Sequence, residues 1–159
     1  MNDASTPAPG TLRLAFRTAV RDDLERIVEL IADDTVAARR TGSFGPAHVA
    51  GFEAISASPH DELVVAELDG AVVGVMQLTA IPGISRNGAT RLQVEAVRVD
   101  ARLRGRGIGR RLMEHAHDWG RARGCTLAQL TSDKQRPDAH RFYASVGYAA
   151  SHEGFKLTL

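Results

Sequence analysis

The N-terminal part of the chain has first the apolar spacing of a strand and then that of helices. From residue 12 to 17, every second position is leucine or phenylalanine, which is the period of a half-buried strand. Cap-forming residues at 18–23 precede apolar positions at 24–31 that follow one face of a helix. A glycine-containing break at 41–46 separates this helix from a weaker one at 47–57. The pattern predicts one strand followed by two helices.

The middle of the chain predicts three strands. Residues 62–67 and 71–79 are β-rich runs, and the Asp-Gly pair between them is a strong hairpin signal, so these two strands form an antiparallel pair. A loop with proline and glycine follows at 82–88. Residues 91–99 are the third strand, because apolar and polar positions alternate along them.

The C-terminal part predicts two more helices and two more strands. Apolar residues recur at helical spacing over 108–119, residues 125–131 form a strand, Pro137 begins a further helix, and residues 155–159 form a last strand. The complete order, β-α-α-β-β-β-α-β-α-β, predicts an α/β protein with helices packed on the faces of a mixed sheet.

Length and composition favour a single domain. A chain of 159 residues with 43% apolar residues can build one sizeable core. We expect a short disordered tail at residues 1–10 and one domain at 11–159. The tail has neither the basic start nor the apolar block of a secretory signal, and no apolar run is long enough to span a bilayer.

Charge and cysteine content exclude several classes of function. The 20 Lys and Arg residues nearly balance the 19 Asp and Glu residues, so no nucleic-acid or membrane partner is expected. The single cysteine, Cys125, cannot form an internal disulfide, and no residues have the spacing of zinc ligands. We expect a cytoplasmic protein without a bound metal.

The sequence Arg-Gly-Arg-Gly-Ile-Gly at residues 104–109 lies between a predicted strand and a predicted helix. Helix N-termini have unpaired N–H groups and a partial positive charge, and glycines let a phosphate approach that backbone closely. Four arginines add positive charge here: Arg104, Arg106, Arg110 and Arg111. This glycine turn (residues 104–109) predicts an anion site suited to a pyrophosphate.

Two other phosphate-binding motifs fit the glycine turn poorly. A Walker loop ends in Gly-Lys-Ser/Thr, whereas Gly109 is followed by two arginines. A Rossmann turn has an acidic residue about 20 positions further on. At that distance this chain has Gly-Cys-Thr-Leu, at residues 124–127, without a carboxylate.

Three segments together resemble the GCN5-related N-acetyltransferase (GNAT) superfamily. They are Val97-Arg98-Val99-Asp100, the Arg-x-x-Gly-x-Gly signature of the glycine turn, and the Ala-x-x-Phe-Tyr-x-x-x-Gly-Tyr block at 139–148. The order of elements is similar over nearly the whole chain from Leu12 onward. The resemblance implies a small single-domain member with the GNAT fold, a mixed and largely antiparallel sheet of about six to seven strands flanked by about four helices.

The resemblance also implies acetyl-CoA as cosubstrate and names the residues that bind it. The backbone of Val97, Arg98 and Val99 would hydrogen-bond the pantetheine arm. The backbone amides of the glycine turn and the next residue would hold the pyrophosphate: Arg104, Gly105, Arg106, Gly107, Ile108, Gly109 and Arg110. In the family, an asparagine that contacts pantetheine often precedes the next helix. The matching position is near Arg136, so that contact is absent or replaced.

The resemblance implies that Tyr143 lies near the thioester sulfur and protonates the departing thiolate. The amine nucleophile must lose a proton, and Glu95, on the strand that faces the cofactor, is the candidate base. The family's glutamate is often found nearer Gln93, so Glu95 could act directly or through a water molecule. The N–H of Val97 could stabilise the oxyanion.

Each catalytic candidate also has a purely structural interpretation. Glu95 could be a solvated strand residue, and Tyr143 could be a core aromatic. Adjacent helix residues point about 100° apart, so Phe142 can face the core while Tyr143 faces the cofactor. The side chains of Arg98 and Arg102 are expected in solvent. Other candidates have simple structural roles: Cys125 and Trp119 as buried residues, and His115, His117 and His140 on helix surfaces.

The resemblance implies transfer of an acetyl group from acetyl-CoA to a primary amine of a small molecule, by direct attack in a ternary complex. Residues 138–143 and 151–155 are similar to segments of small-molecule acetyltransferases such as those acting on aminoalkylphosphonates. Residues 39–46 and 81–90 are expected to shape the acceptor pocket, and they have no dense acidic cluster that would indicate a polycationic acceptor.

Several alternatives stay open. The chain could be a non-catalytic acetyl-CoA-binding regulatory module, it could acetylate a protein or peptide amine, or it could bind another nucleotide through the glycine turn. The last predicted strand could also support a homodimer through its free edge.

Overall fold

In the computed structural model, which describes residues 13–33 and 41–159, a five-stranded sheet forms the centre of the protein. Its strands are β1 (Leu14–Thr18), β2 (Asp61–Leu68), β3 (Ala71–Ile81), β4 (Thr90–Val99) and β5 (Cys125–Gln129). The strands neighbour one another in chain order. The first four are antiparallel, and β5 joins β4 in parallel. The predicted fold class, a mixed and largely antiparallel sheet with helices, is confirmed.

Four helices of nine residues or more pack on this sheet in the described parts of the chain. They are α1 (Leu24–Ala32), α2 (Pro46–Ala57), α3 (Ile108–Ala122) and α4 (Pro137–Ser145). Helices α1 and α2 pack against one face of the sheet, and α3 and α4 pack against the other. The apolar spacing that predicted α3 corresponds to its buried stripe, which includes Leu112, Ala116 and Trp119.

The sheet has an apolar core on each face. Along β2, Val64 and Ala66 pack with α3, whereas Leu63 and Val65 pack with α1, and all four are at most 7% exposed. Burial on both faces explains why β2 and β3 have near-continuous apolar runs. Each buried valine or leucine side chain contributes about 1.5–3 kcal/mol when fully buried, so the two cores hold the sheet and helices together.

Residues 155–159 do not form the predicted last strand. Phe155 and Leu157 are 94% and 85% exposed, and this segment pairs with no strand among the described residues. Their alternation has the period of a strand, but a strand also needs a neighbour that supplies hydrogen-bond partners. The sheet of the described residues therefore has five strands rather than six to seven, and β5 is its edge.

Some predictions concern residues outside the described ranges. The tail at residues 1–10, the first position of the first strand at Leu12, and residues 39–40 of a predicted acceptor loop all lie there. Within the described ranges, no helix is long and apolar enough to cross a membrane.

Candidate functional site

Strands β4 and β5 pair along only the first part of β4. They pair from Thr90 to Gln93, and β5 ends at Gln129 while β4 continues to Val99. At the last pair, Gln129 Nε2 donates to Gln93 Oε1 at 2.8 Å. Beyond this point, no strand of the described residues pairs with that edge of β4, so its backbone groups face no neighbouring strand. We call the space beside this edge of β4, beyond the end of β5, the β4–β5 gap.

A β-bulge in β4 lies beside the gap. Glu95 and Arg98 pair with residues of β3 that are only two positions apart, so Ala96 and Val97 together oppose one residue of β3. Ala96 has a φ of 51°, a conformation that costs a non-glycine residue roughly 1–2 kcal/mol. Bulges are common next to active sites because they change the direction of a strand. The sequence pattern gave no signal of the bulge, because Leu92, Val94 and Ala96 alternate with polar residues as they would in a regular strand.

The bulge directs backbone groups of Val97 and Val99 into the gap. The amide of Asp100 donates to the carbonyl of Val73 in β3 at 2.8 Å. Because the backbone groups of successive strand residues point to opposite edges, those of Val97 and Val99 point away from β3. The carbonyl of Val97 accepts from Arg98 Nη1 at 2.8 Å, and that of Val99 accepts from Arg104 Nε at 3.2 Å. Of the three residues predicted to bind pantetheine, Val97 and Val99 therefore line the gap through their backbone, whereas the backbone of Arg98 faces β3.

The glycine turn leads from β4 towards α3 and is open on one side. Gly105 and Gly107 have φ values of 76° and 82°, which favour glycine, and a Cβ on either would meet no atom within 4 Å. Helix α3 begins at Ile108, as predicted. Within the described residues, the amides of residues 105–110 donate to no backbone carbonyl, so they are available to an anion.

Helix α4 packs directly on the first turn of α3. A Cβ on Gly109 would lie 3.2 Å from Phe142 Cζ, so the missing side chain permits this close approach. Phe142 packs against the core on the α3 face, as predicted. The contact holds α4, and with it Tyr143, beside the glycine turn.

Tyr143 is half-buried between two other aromatic rings. Its ring centroid lies 5.3 Å from that of Phe142 and 6.1 Å from that of Tyr148. Burial raises the pKa of the Tyr143 phenol, and the nearby charges of Arg136 and Arg98 oppose this rise. The phenol is therefore protonated at neutral pH and can donate a hydrogen bond or a proton.

Glu95 is exposed and lies on the opposite face of the sheet from Tyr143. Leu92 and Val94 of β4 are buried in the core beside α3, so by alternation Glu95 faces the side of α1 and α2. Tyr143 packs against the α3 side. The structure thus puts a carboxylate and a phenol on opposite sides of the strand that borders the gap.

Asp100 anchors the start of the glycine turn. It is 5% exposed and accepts from Arg102 Nη2 at 2.7 Å, from the Arg102 amide at 3.0 Å and from Arg26 Nη2 at 2.6 Å. Its hydrogen bonds, first of all with Arg102, hold the pKa of Asp100 well below its usual value. The sequence motif includes Asp100 but predicts no role for it. The available signal was an aspartate directly after a strand, a common cap of the next turn.

One of the two arginine predictions is corrected. Arg98 is half-buried rather than solvated, because its guanidinium folds onto the Val97 carbonyl. Arg102 is exposed, as expected, but its side chain is paired with Asp100. Arg104 is also engaged through its side chain, with Nη2 3.1 Å from Asp33 Oδ2 on the other side of the turn. Arg110 reaches the carbonyl of Ser145 at 3.4 Å and so links α3 to α4.

The remaining candidates mostly have the expected structural roles. Trp119 is buried, and His140 is exposed with its Nε2 2.9 Å from the carbonyl of Asp133. Cys125 is only half-buried, and burial raises the pKa of its thiol, which disfavours a nucleophilic thiolate. His117 differs from its prediction as a surface residue, since it is half-buried and contacts Tyr148. No metal-binding group of His, Cys, Asp or Glu occurs in the parts of the chain that the structure describes.

Comparison with known proteins shows one family throughout. The acetyltransferase (GNAT) family model matches residues 20–148. The aminoalkylphosphonate N-acetyltransferase of Salmonella typhimurium is 31% identical over 69% of this chain and 70% of that protein. The N-alpha-acetyltransferase RimI of Mycobacterium tuberculosis is 36% identical over 62% of this chain and 59% of that protein. The uncharacterized N-acetyltransferase YhdJ of Bacillus subtilis is 38% identical, and the match covers 40% of this chain but only 45% of that protein.

A solved structure is similar over nearly the whole chain. A protein from Bacillus halodurans, described as a transcriptional regulator, is 39% identical with a TM-score of 0.89. The match covers 92% of this chain and 100% of that one. Family model, relatives and fold agree with the sequence motifs and confirm the predicted superfamily. The chain belongs to the acetyltransferase (GNAT) family, a family of acetyl-CoA-dependent acyltransferases.

Proposed function

We propose that the protein transfers the acetyl group of acetyl-CoA to a primary amine of a small molecule, by direct attack in a ternary complex. The β4–β5 gap is the observation that carries this proposal. It has along one side an edge of β4 that pairs with no strand of the described residues, the glycine turn near one end, and Glu95 and Tyr143 on opposite faces of the sheet. Such a gap suits a long ligand with a phosphate end and a reactive end.

The residues at the gap fit the two parts of coenzyme A. The free amides of residues 105–110 would hold the pyrophosphate, because an anion at a helix N-terminus replaces the missing hydrogen-bond partners. Backbone groups of Val97 and Val99 would pair with the amides of the pantetheine arm, as a neighbouring strand does. Acetyl-CoA, when bound, supplies an activated acetyl group as a thioester.

Tyr143 is proposed to hold the proton that the leaving thiolate needs. Its phenol stays neutral because burial raises its pKa, so the proton is present at the pH where the enzyme would work. Tyr143 lies beside the glycine turn because its neighbour Phe142 packs on Gly109.

Glu95 is proposed to accept the proton of the attacking amine, directly or through one water molecule. Primary amines have a pKa of about 10 and are mostly protonated at neutral pH, so they must lose a proton to attack. An exposed carboxylate also attracts an ammonium ion from solvent. The N–H of Val97, which points into the gap, would stabilise negative charge on the carbonyl oxygen.

The proposed acceptor is a small polar amine. The sheet face around Glu95 is polar, because Gln77 pairs with Glu95, Thr79 pairs with Gln93, and Gln129 hydrogen-bonds Gln93. Residues 81–90, at the connection between β3 and β4, would contribute to the pocket. The similarity to an enzyme named for aminoalkylphosphonates supports a small molecule, whereas the similarity to RimI keeps a peptide amine as an alternative.

The test is release of free thiol from acetyl-CoA against a panel of amines, with the acetylated product identified by mass spectrometry. The panel contains aminoalkylphosphonates, amino sugars, polyamines and short peptides. Amine-dependent thiol release with an N-acetylated small molecule is the expected result. Thiol release with peptides alone would indicate instead that the protein acetylates protein or peptide amines.

A second candidate function is a non-catalytic regulator that binds acetyl-CoA. It is favoured by the 39% identical Bacillus halodurans protein, which is described as a transcriptional regulator. Calorimetric titration with acetyl-CoA and ATP separates the possibilities. Tight acetyl-CoA binding without thiol release from any amine supports the regulator, and equal binding of ATP would indicate a general nucleotide site.

A further inference from the structure

The end of α4 brings a second tyrosine onto Tyr143. Gly147, with a φ of 96°, ends the helix, and the amide of Tyr148 donates to the carbonyl of Tyr143 at 3.0 Å. This turn returns the Tyr148 ring against that of Tyr143, edge to face, at an interplanar angle of 66°. Such aromatic pairs are favourable and have a defined geometry, so the position of one ring restricts the other.

Tyr148 is in turn held by a histidine of α3. His117 Nε2 lies 3.0 Å from the Tyr148 hydroxyl, and the two ring centroids are 5.7 Å apart. Burial lowers the pKa of His117, with Arg121 adding to this effect and Asp118 and Glu114 opposing it. Burial also raises the pKa of Tyr148 to about 12. At neutral pH the contact is therefore a hydrogen bond between neutral groups, and the phenol can donate to the imidazole.

Helix α4 lies at the surface of the protein. None of its residues is fully buried. Its contacts with α3 include the packing of Phe142 on Gly109 and the long hydrogen bond from Arg110 to Ser145. The hydrogen bond between His117 and Tyr148 therefore adds a polar contact between α3 and the turn that follows α4.

We infer that His117 is a positioning residue, which fixes the ring of Tyr143 through Tyr148. This inference rests on the proposed role of Tyr143 as the proton donor. A small displacement of an acid relative to the leaving group lowers the rate without changing cofactor binding. His117 therefore affects kcat and not the KM for acetyl-CoA.

A double-mutant cycle tests the coupling. His117→Leu removes the hydrogen bond, and we expect kcat to fall about tenfold with the KM for acetyl-CoA within about twofold of wild type. His117→Gln, whose amide reaches about as far as the imidazole Nε2, should restore most of the rate. In a Tyr143→Phe background, His117→Leu should have no further effect. His115→Leu is the matched control, since His115 lies on the same helix but stacks on Phe16 at 5.0 Å.

A second readout does not depend on activity. Tyr143 and Tyr148 are the two tyrosines of the chain, so protein with ring-labelled ¹³C-tyrosine gives two sets of ring signals. Tyr148→Phe leaves one set and assigns it to Tyr143. In the protein without ligand, His117→Leu should shift or broaden the Tyr143 signal, and both His117→Gln and His115→Leu should leave it near the wild-type position.

The outcomes separate the inference from the proposed function. An equal loss of kcat by His117→Leu in the wild-type and Tyr143→Phe backgrounds, or an unmoved Tyr143 signal, would refute the positioning role. A Tyr143→Phe enzyme as fast as wild type would instead refute the proposed role of Tyr143. If His117→Leu is unstable, Tyr148→Phe replaces it in the kinetic cycle, because it keeps the ring and removes only the hydroxyl.

Discussion

Tyr143 has an environment that suits a proton donor. Its ring is half-buried between Phe142 and Tyr148. Burial raises the pKa of the phenol, so the phenol stays protonated to a higher pH than an exposed tyrosine does. A donor is needed only when the leaving group is basic. An acyl donor with an acidic thiol requires less help, so the two kinds of thioester should respond differently to loss of the hydroxyl.

Tyr143→Phe should lower kcat with acetyl-CoA by about 10²-fold or more, the usual contribution of a general acid. The affinity for acetyl-CoA should stay within about twofold. With an aryl thioester whose thiol is acidic, the ratio of wild-type to variant rates should be much closer to one. Steady-state kinetics with both donors measure this, and equal losses with the two donors would argue against proton donation.

The pH dependence of the wild-type enzyme follows from the same phenol. Because the acting form is protonated and burial raises its pKa, kcat should not decline through loss of this proton until the pH exceeds about 10, the ordinary tyrosine value. A pH profile of kcat from 6 to 10.5 checks this. A decline centred near pH 8 that disappears in Tyr143→Phe would contradict the assigned environment.

Glu95→Gln should lower kcat by about 10²-fold near neutral pH, because glutamine cannot accept the proton of the amine. The deficit should shrink as the pH approaches about 10, where the amine is already neutral. Rates of both proteins across this pH range give the result. Glu25→Gln, an exposed glutamate on α1, is the matched control and should match wild type. A deficit that is constant with pH would exclude a base role for Glu95.

At the scale of elements, the contact between α3 and α4 depends on one glycine. Gly109→Ala puts a Cβ 3.2 Å from Phe142 Cζ, so it should reduce the free energy of unfolding by about 1–3 kcal/mol and lower kcat by moving α4. Gly51→Ala on α2 is the control, because its Cβ would meet nothing within 4 Å and should stabilise the helix by about 0.5–1 kcal/mol. Urea unfolding of both variants measures the difference. Equal changes would show that the close approach is unimportant.

The anchor at Asp100 predicts a pH-dependent stability. The pKa of Asp100 is lowered in the folded protein, so its contribution is complete above the ordinary value of about 4 and is lost as the pH falls below it. Asp100→Asn should reduce the free energy of unfolding by about 2 kcal/mol at pH 7. The difference from wild type should shrink between pH 4 and pH 2.

Urea unfolding at several pH values checks this expectation. Asp118→Asn, an exposed aspartate on α3 paired with an exposed arginine, should change stability by less than about 1 kcal/mol at any of these pH values. A difference for Asp100→Asn that does not change with pH would contradict the assigned ionisation.

Local sequence patterns predicted most helices and strands. Features that depend on contacts between residues distant in the sequence were not predicted. The hairpin of β2 and β3, the start of α3 at Ile108 and the glycine turn follow from neighbouring residues alone. The pairing of Arg26 with Asp100 joins residues 74 positions apart, and no local pattern indicates it. The alternation at 155–159 predicted a strand wrongly because pairing depends on a neighbour and not on period.

At the scale of the whole molecule, the β4–β5 gap organises the proposed site. Helix α3 with the glycine turn and helix α4 with Tyr143 belong to one face of the sheet, and Glu95 belongs to the other. A cofactor in the β4–β5 gap would present its acetyl group between them. The roles proposed for single residues depend on this placement of the cofactor.

A crystal structure with acetyl-CoA tests that placement most directly. The pyrophosphate should accept hydrogen bonds from the amides of residues 105–110, and the pantetheine arm should pair with the backbone of Val97 and Val99. The thioester sulfur should lie within about 3.5 Å of the Tyr143 hydroxyl. A cofactor bound outside the β4–β5 gap, or one whose sulfur lies far from Tyr143, would contradict the proposed mechanism.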